Sequence, residues 1–361
     1  MVESVYIHIP FCKSICSYCD FCKVLCHGPW ITQYLNALLS EVEDKYFGEE
    51  ISTIYVGGGT PSALNIKELK YLFEIINKFN RKDEVEFTFE CNLNDINEEM
   101  LMLLKENGVN RLSIGIESFN EDKLAFMERR HTFDDAKSKM ELIRRLGFDN
   151  VNLDLIYGIP GETIKDLKKD IDLILKLDPD HISTYSLIVE DNTKIGISGV
   201  VPIDEELDAE MYELIRERLS DKKFIHYEIS NFAKEGKMSK HNMRYWDNEE
   251  YYGFGLGAHG YRHGVRYENT RSINKYFDGQ FLLKEEILSK EDDMANELML
   301  GFRKVQGINL KKFFDKYEIN LQEAFNIEEA LKNKEIIYSD GYVYINPDYL
   351  YVMNEILIKI I

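Results

Sequence analysis

The chain has no apolar run approaching the roughly 20 residues that a membrane span needs. Its first residues, Met1-Val2-Glu3-Ser4-Val5-Tyr6, carry no basic region leading into an apolar stretch, so no secretory signal is expected and a cytoplasmic location is. Basic charge is in the minority: 44 Lys and Arg stand against 64 Asp and Glu, a net charge of −20. That field opposes non-specific binding to nucleic acid or to an anionic membrane. There is no low-complexity tract and no repeat beyond a strand–helix unit. Cysteine is scarce and unevenly spread. Five of the six lie between Cys12 and Cys26. In a reducing compartment, thiols clustered this way are more often metal ligands than disulfides.

What is present is globular: 361 residues, 44% hydrophobic and 30% charged, enough for a large core. Six β-like segments are expected at residues 5–9, 53–56, 85–89, 111–116, 151–156 and 181–187. Each is short, rich in β-branched or aromatic residues, and bounded by Gly, Pro, Asn or Asp. Between them, helical spacing recurs at Leu69, Leu72, Phe73 and Ile76, at Met100, Leu101 and Leu104, and at Leu167, Ile171, Ile174 and Leu175. Strand–helix alternation implies parallel strands with crossover helices. Six units are too few for a complete eight-fold barrel; an open six-fold barrel and a doubly wound sheet both fit.

The rhythm stops after residue 221. The expected division is a partial barrel over 1–225, a Tyr-, Gly- and His-rich segment over 226–285 laid across the barrel mouth, and a smaller winged-helix-like domain over 286–361. That last domain mixes Lys and Glu with no basic face, so DNA binding is not expected.

Cys12, Cys16 and Cys19 follow the first strand in a C-x3-C-x2-C spacing. A loop of this size wraps three thiolates around one face of a four-iron cube and leaves the fourth iron open to a small chelating molecule, such as the amine and carboxylate of an amino acid. The competing reading is zinc, with Cys22, Cys26 or His27 as fourth ligand. Cys22 and Cys26 are expected to be bystanders, and Cys91 a buried small hydrophobe. In barrel folds chemistry gathers where strands end. Here the strand ends carry the cysteines, Gly57-Gly58-Gly59-Thr60-Pro61, Glu90, Glu117-Ser118, Asp154 and Ser186. A glycine run permits close backbone approach to a ligand; its bland alternative is a tight turn. The carboxylates suit an ammonium group and ribose hydroxyls; their bland alternatives are helix caps and surface ion pairs.

These residues together resemble the radical S-adenosylmethionine (SAM) superfamily. Tyr6-Ile7-His8-Ile9-Pro10-Phe11-Cys12, Arg111-Leu112-Ser113-Ile114-Gly115 and Asp154-Leu155-Ile156-Tyr157-Gly158-Ile159-Pro160-Gly161-Glu162-Thr163 resemble its oxygen-independent coproporphyrinogen dehydrogenase group, HemN and its relatives, over nearly the whole chain. The resemblance implies a (β/α)6 partial barrel holding a [4Fe-4S] cluster on Cys12, Cys16 and Cys19. It implies SAM contacts at Tyr6, Gly58, Gly59, Thr60, Glu90, Arg129 and Asp154, with Tyr18 beside the adenine. Ser186 and Tyr261 are looser matches. Glu117 stands where relatives usually carry Gln and adds a negative charge.

Within the group the chain is most similar to the heme-chaperone branch, HemW. Phe21 replaces the fourth cysteine of the enzymes, and only four residues precede the first strand. Lys240-His241-Asn242-Met243-Arg244-Tyr245-Trp246 also matches the His-Asn-x-x-Tyr-Trp pattern of that branch. The likeness implies heme as ligand, with His241 at the iron, Tyr245 and Trp246 offering flat surface, and Arg244 or Lys240 meeting a propionate. His259 or a cysteine is the alternative axial ligand. Implied partners are heme-accepting respiratory proteins at the membrane and an electron donor for the cluster, with a homodimer also compatible. The other outcome within the group is an enzyme: a coproporphyrinogen decarboxylase, or a radical methylase or cyclopropanase.

Overall fold

Alternation within six strands sets the architecture. In the computed structural model, which describes residues 2–361, the strands are β1 (Ser4–Ile9), β2 (Glu50–Gly58), β3 (Asn80–Asn92), β4 (Arg111–Glu117), β5 (Val151–Tyr157) and β6 (His181–Ser186). They pair in chain order and in parallel. Ile54, Val56, Phe87, Phe89, Leu112, Ile114, Leu153 and Ile182 are buried in the apolar core. The intervening residues are mostly polar and meet one another: Tyr55 with Glu90, Asn152 with Ser113 and Asp154, His181 and Ser183 with Asn152. Side chains alternate across a strand, so the curved sheet has an apolar face toward its helices and a polar face toward its hollow.

The helices follow from their patterns and caps. The stripe of Leu69, Leu72, Phe73 and Ile76 is buried on α2 (Ile66–Ile76), as is that of Leu167, Ile171 and Ile174 on α5 (Ile164–Lys176). A first helix, α1 (Gly28–Lys45), and two others, α3 (Glu98–Glu106) and α4 (Phe133–Arg145), complete the outer layer. Capping boxes start α2 (Asn65 with Glu68), α4 (Thr132 with Asp135) and α5 (Thr163 with Asp166), each worth about 1 kcal/mol.

The sheet does not close. Ile225–Glu228 (β7) and Asn231–Ala233 (β8) add antiparallel strands beyond β6, and Tyr252–Phe254 (β9) adds a parallel strand outside β1. The order is β9-β1-β2-β3-β4-β5-β6-β8-β7. The expectation that residues 226–285 lie across the mouth is therefore corrected. Their first part supplies both edge strands, which satisfies exposed backbone groups that an open sheet would otherwise leave. Their helix α6 (Lys240–Trp246) enters from below. The backbone N–H groups of Lys240 and His241 both donate to Glu86 at 2.9 Å, and His241 Nδ1 lies 2.8 Å from Thr53 Oγ1. Thr53 and Glu86 are register partners in the entering halves of β2 and β3, so α6 is a floor.

Residues 259–287 then form a three-stranded antiparallel sheet. Beyond it lie helices and a second such sheet, Ile308–Asn309, Tyr342–Ile345 and Ile336–Ser339. Its hairpin turns at Asp340-Gly341, with φ of 52° and 80°, the left-handed pair that a two-residue hairpin requires.

Candidate functional site

The cysteine loop hangs from the end of β1. Phe11–Cys12 pairs with Val24–Leu25 and closes it. A buried histidine holds it from beneath: His8 Nε2 donates to the Cys22 carbonyl at 2.7 Å, and its Nδ1 lies 3.0 Å from the Tyr6 hydroxyl. Burial pushes the His8 pKa down to about 4, so the ring is neutral, as a single N–H with one accepting nitrogen requires. Ser17 donates to the Phe126 carbonyl at 2.7 Å, and Lys23 Nζ donates to the Cys19 carbonyl.

The glycine run is required by this loop. A Cβ on Gly59 would stand 2.6 Å from the Pro10 carbonyl oxygen and 2.9 Å from Cys12 Sγ. Gly58 adopts φ of 119° against the His8 ring. Thr60 Oγ1 is 3.5 Å from Cys12 Sγ. All six thiols are free. Burial pushes Cys12 up to about 11 and Cys19 up as well. Among the described residues no three His, Cys, Asp or Glu side chains are drawn together as around a single ion. The donor set is three thiols of one loop, which fits a multi-iron cluster with each cysteine on its own iron.

Beneath the loop opens a cavity of about 450 Å³. Cys12, Cys16, Tyr18, Cys19, Gly58, Gly59, Thr60, Glu90, Glu117, Arg129, Asp154 and Ser186 all line it. Tyr6 does not; it stands behind, its ring 6.0 Å from Tyr55, supporting His8. Glu90 accepts from the Tyr55 hydroxyl at 2.7 Å and from Gly58 N–H at 3.1 Å. Burial still pushes it up to about 7. Asp154 accepts from Asn152 Nδ2 at 2.7 Å, and burial raises its pKa. The extra charge of Glu117 is matched inside the site: Arg129 Nη2 is 2.8 Å away, and Arg129 Nη1 donates to the Gly115 carbonyl at 2.9 Å. Burial pushes Glu117 up to about 7, with Arg129 opposing. Glu117 also sits at φ of 63°, a left-handed conformation uncommon for a residue with a side chain. Ser186 Oγ is engaged with Asp208 Oδ1 at 2.5 Å. Cys91 is buried and also faces the cavity.

The residues expected to meet heme through the His-Asn-x-x-Tyr-Trp pattern are held by protein partners in this structure. His241 is 1% exposed. Its Nδ1 is held by Thr53 and its Nε2 lies 2.8 Å from the Tyr245 hydroxyl, so neither nitrogen is offered to iron. Tyr245 packs edge-on between His241 and Tyr251. The Arg303 guanidinium lies over Trp246 at 5.5 Å. Arg244 pairs with Glu249 and reaches Ser52 at 3.1 Å. The motif builds the barrel floor. Tyr261 is likewise remote from the cavity, donating to Asp293 at 2.7 Å. His259 keeps an exposed side chain, 63% accessible. Cys22 turns toward Gly257, whose added Cβ would stand 3.0 Å from its Sγ.

Sequence reasoning missed four residues of this site: His8, Tyr55, Arg111 and the hub Asn152. The signal was the alternation itself, with polar residues at every second strand position.

Comparison with known proteins decides the family. The radical SAM superfamily model matches residues 6–174 and the HemN C-terminal domain model residues 288–352. A Bacillus subtilis protein named heme chaperone HemW is 39% identical over 376 residues, covering 98% of each chain. The chain belongs to the HemW family. A Lactococcus lactis heme chaperone HemW is 38% identical, covering 94% of this chain and 91% of its own. The fold is also that of the Escherichia coli coproporphyrinogen III oxidase HemN, with a TM-score of 0.87 at 18% identity over 99% of this chain and 89% of that one. Membership of this family accounts for the partial barrel with an α+β C-terminal domain and for the cysteine loop. No helix among the described residues is long and apolar enough to cross a membrane.

Proposed function

We propose that the protein is a heme carrier of the HemW kind, built on a barrel that holds a [4Fe-4S] cluster and SAM. The observation that carries this reading is the convergence of three free thiols from one loop on the mouth of a cavity lined by Glu90, Glu117, Asp154 and Arg129. Cys12, Cys16 and Cys19 would hold three irons. Bound together, the cluster and SAM supply one-electron reductive chemistry. Glu90, buried beside the Gly58 backbone, would accept the ligand's ammonium, and a cation there would favour its ionised form. Asp154 would accept ribose hydroxyls. Gly58 and Gly59 let backbone approach the ligand where a side chain would collide. The heme arm of the reading rests on the HemW relatives. Heme-requiring respiratory proteins are the proposed recipients, in the cytoplasm or at the inner face of a membrane.

An anaerobic heme titration of cluster-reconstituted protein, followed at the Soret band, tests it. One heme per chain is expected, with an altered band in His259→Ala or Cys22→Ala and an unaltered one in His241→Gln. Unsaturable binding, the same in every variant, would remove the carrier reading and make porphyrinogen turnover the next assay.

A further inference from the structure

At the floor of the cavity lies an arginine that no carboxylate among the described residues meets at ion-pair distance. Arg111 opens β4, is 2% exposed and lines the cavity. Its Nε has no hydrogen-bond partner, and among the described residues the side chain enters no ion pair. The carboxylates that feel its charge are committed elsewhere: Glu90 to Tyr55 and Gly58, Asp154 to Asn152. Directly across the register, Thr88 carries a buried hydroxyl that also lacks a partner. Buried arginines are normally forked onto a carboxylate, and unsatisfied buried polar groups are rare enough to demand a reason. We infer that Arg111 is the anchor of an anion subsite at the cavity floor, which takes a carboxylate of a second ligand bound beneath SAM. The inference rests on the reading of this cavity as the ligand site. The carboxylate has two sources, a tetrapyrrole propionate or a small organic acid, and one guanidinium would serve either.

The test uses the full chain as wild type, Arg111→Met and Arg111→Lys. Protoporphyrin IX and its dimethyl ester are titrated into each, SAM affinity is measured, and thermal melts are run with sodium propionate against chloride at fixed ionic strength. A charged hydrogen bond predicts that wild type prefers the free acid over the ester by about tenfold or more. Arg111→Met loses that preference, Arg111→Lys keeps part of it, and SAM affinity falls less than tenfold in both. Propionate stabilisation confined to wild type and Arg111→Lys, without a porphyrin preference, assigns the site to a small acid. The inference is overturned if neither probe distinguishes wild type from Arg111→Met. It is overturned if SAM affinity falls tenfold, since the anion is then SAM's own carboxylate. It is also overturned if Arg111→Met melts lower with all binding unchanged, which makes Arg111 a structural counter-charge. Wild type failing to bind SAM at all would sink the proposed function instead, and the propionate melts would still report on Arg111.

Discussion

Replacing His241 separates a heme ligand from a structural floor. The ring is 1% exposed, bonded at both nitrogens to Thr53 and Tyr245, and packed 5.2 Å from the Tyr55 ring. His241→Ala leaves two buried hydroxyls unpaired and a void, a loss of about 3 kcal/mol or more. His241→Gln keeps polar atoms near both partners and isolates the titration. Burial pushes the folded-state pKa to about 3 from the ordinary 6.5. The folded state therefore refuses a proton that the unfolded chain accepts, so stability is lost as pH falls below 6.5 toward 3. Linkage gives about 1.3 kcal/mol between pH 7 and pH 5.5 for this residue. Buried acids pushed up to about 7, Glu90, Glu117 and Glu228, titrate in the opposite sense. The wild-type slope alone is a net effect, and the difference between the two proteins is the measurement. Urea unfolding at the two pH values should show His241→Gln losing about 1.3 kcal/mol less than wild type. Equal losses would refute the buried neutral histidine. Loss of saturable heme binding in a His241→Gln protein of unchanged stability would restore the ring as a ligand.

Two further substitutions follow from buried charge. Glu228 carries a buried Oε1 without a partner and is pushed up to about 7 by burial. The folded state keeps its proton, so stability falls as pH rises from 4.5 through 7. Glu228→Gln should therefore gain about 3 kcal/mol at pH 8 and little at pH 5, read by urea unfolding; no gain at pH 8 counts against it. Lys123 lies 2.6 Å from Glu162 and 2.9 Å from Asp170, all three 5% exposed or less. Lys123→Met strands two carboxylates and should cost about 3–5 kcal/mol. Asp170 also takes the Ser118 hydroxyl at 2.6 Å and Phe119 N–H at 2.8 Å, so the strand end bearing Glu117 should loosen with it, visible as faster amide exchange at 117–119.

The six strands and the cysteine loop were legible because their signals are local. Each strand is buried on one face by helices, so Ile54 and Val56 or Leu112 and Ile114 read as β-branched or apolar alternation. The C-x3-C-x2-C loop needs only chain geometry. The floor was not legible, because α6 is seven residues long and its partners Thr53 and Glu86 are 188 and 155 residues away from His241. A short motif of His, Tyr and Trp has the composition of a ligand site and of a packed plug alike; only the partners tell them apart. His8 was passed over for a similar reason. It sat within a strand and read as strand, while its task is to donate to Cys22 fourteen residues on.

The interior charges argue for what the cavity can take. Glu90, Glu117 and Asp154 face it with Arg129 and Arg111. Arg129 is matched to Glu117 at 2.8 Å, so that pair carries no net charge. Glu90 and Asp154 then remain near the loop side, and Arg111 below, where β4 begins. A ligand that satisfied only the upper carboxylates would be cationic and would leave Arg111 bare. One that satisfied only Arg111 would leave two carboxylates in a low-dielectric hollow, where burial already drives them toward protonation. The arrangement is complete only with positive charge above and negative charge below. Two molecules, the upper one held against the cysteine loop and the lower one anionic, meet that condition.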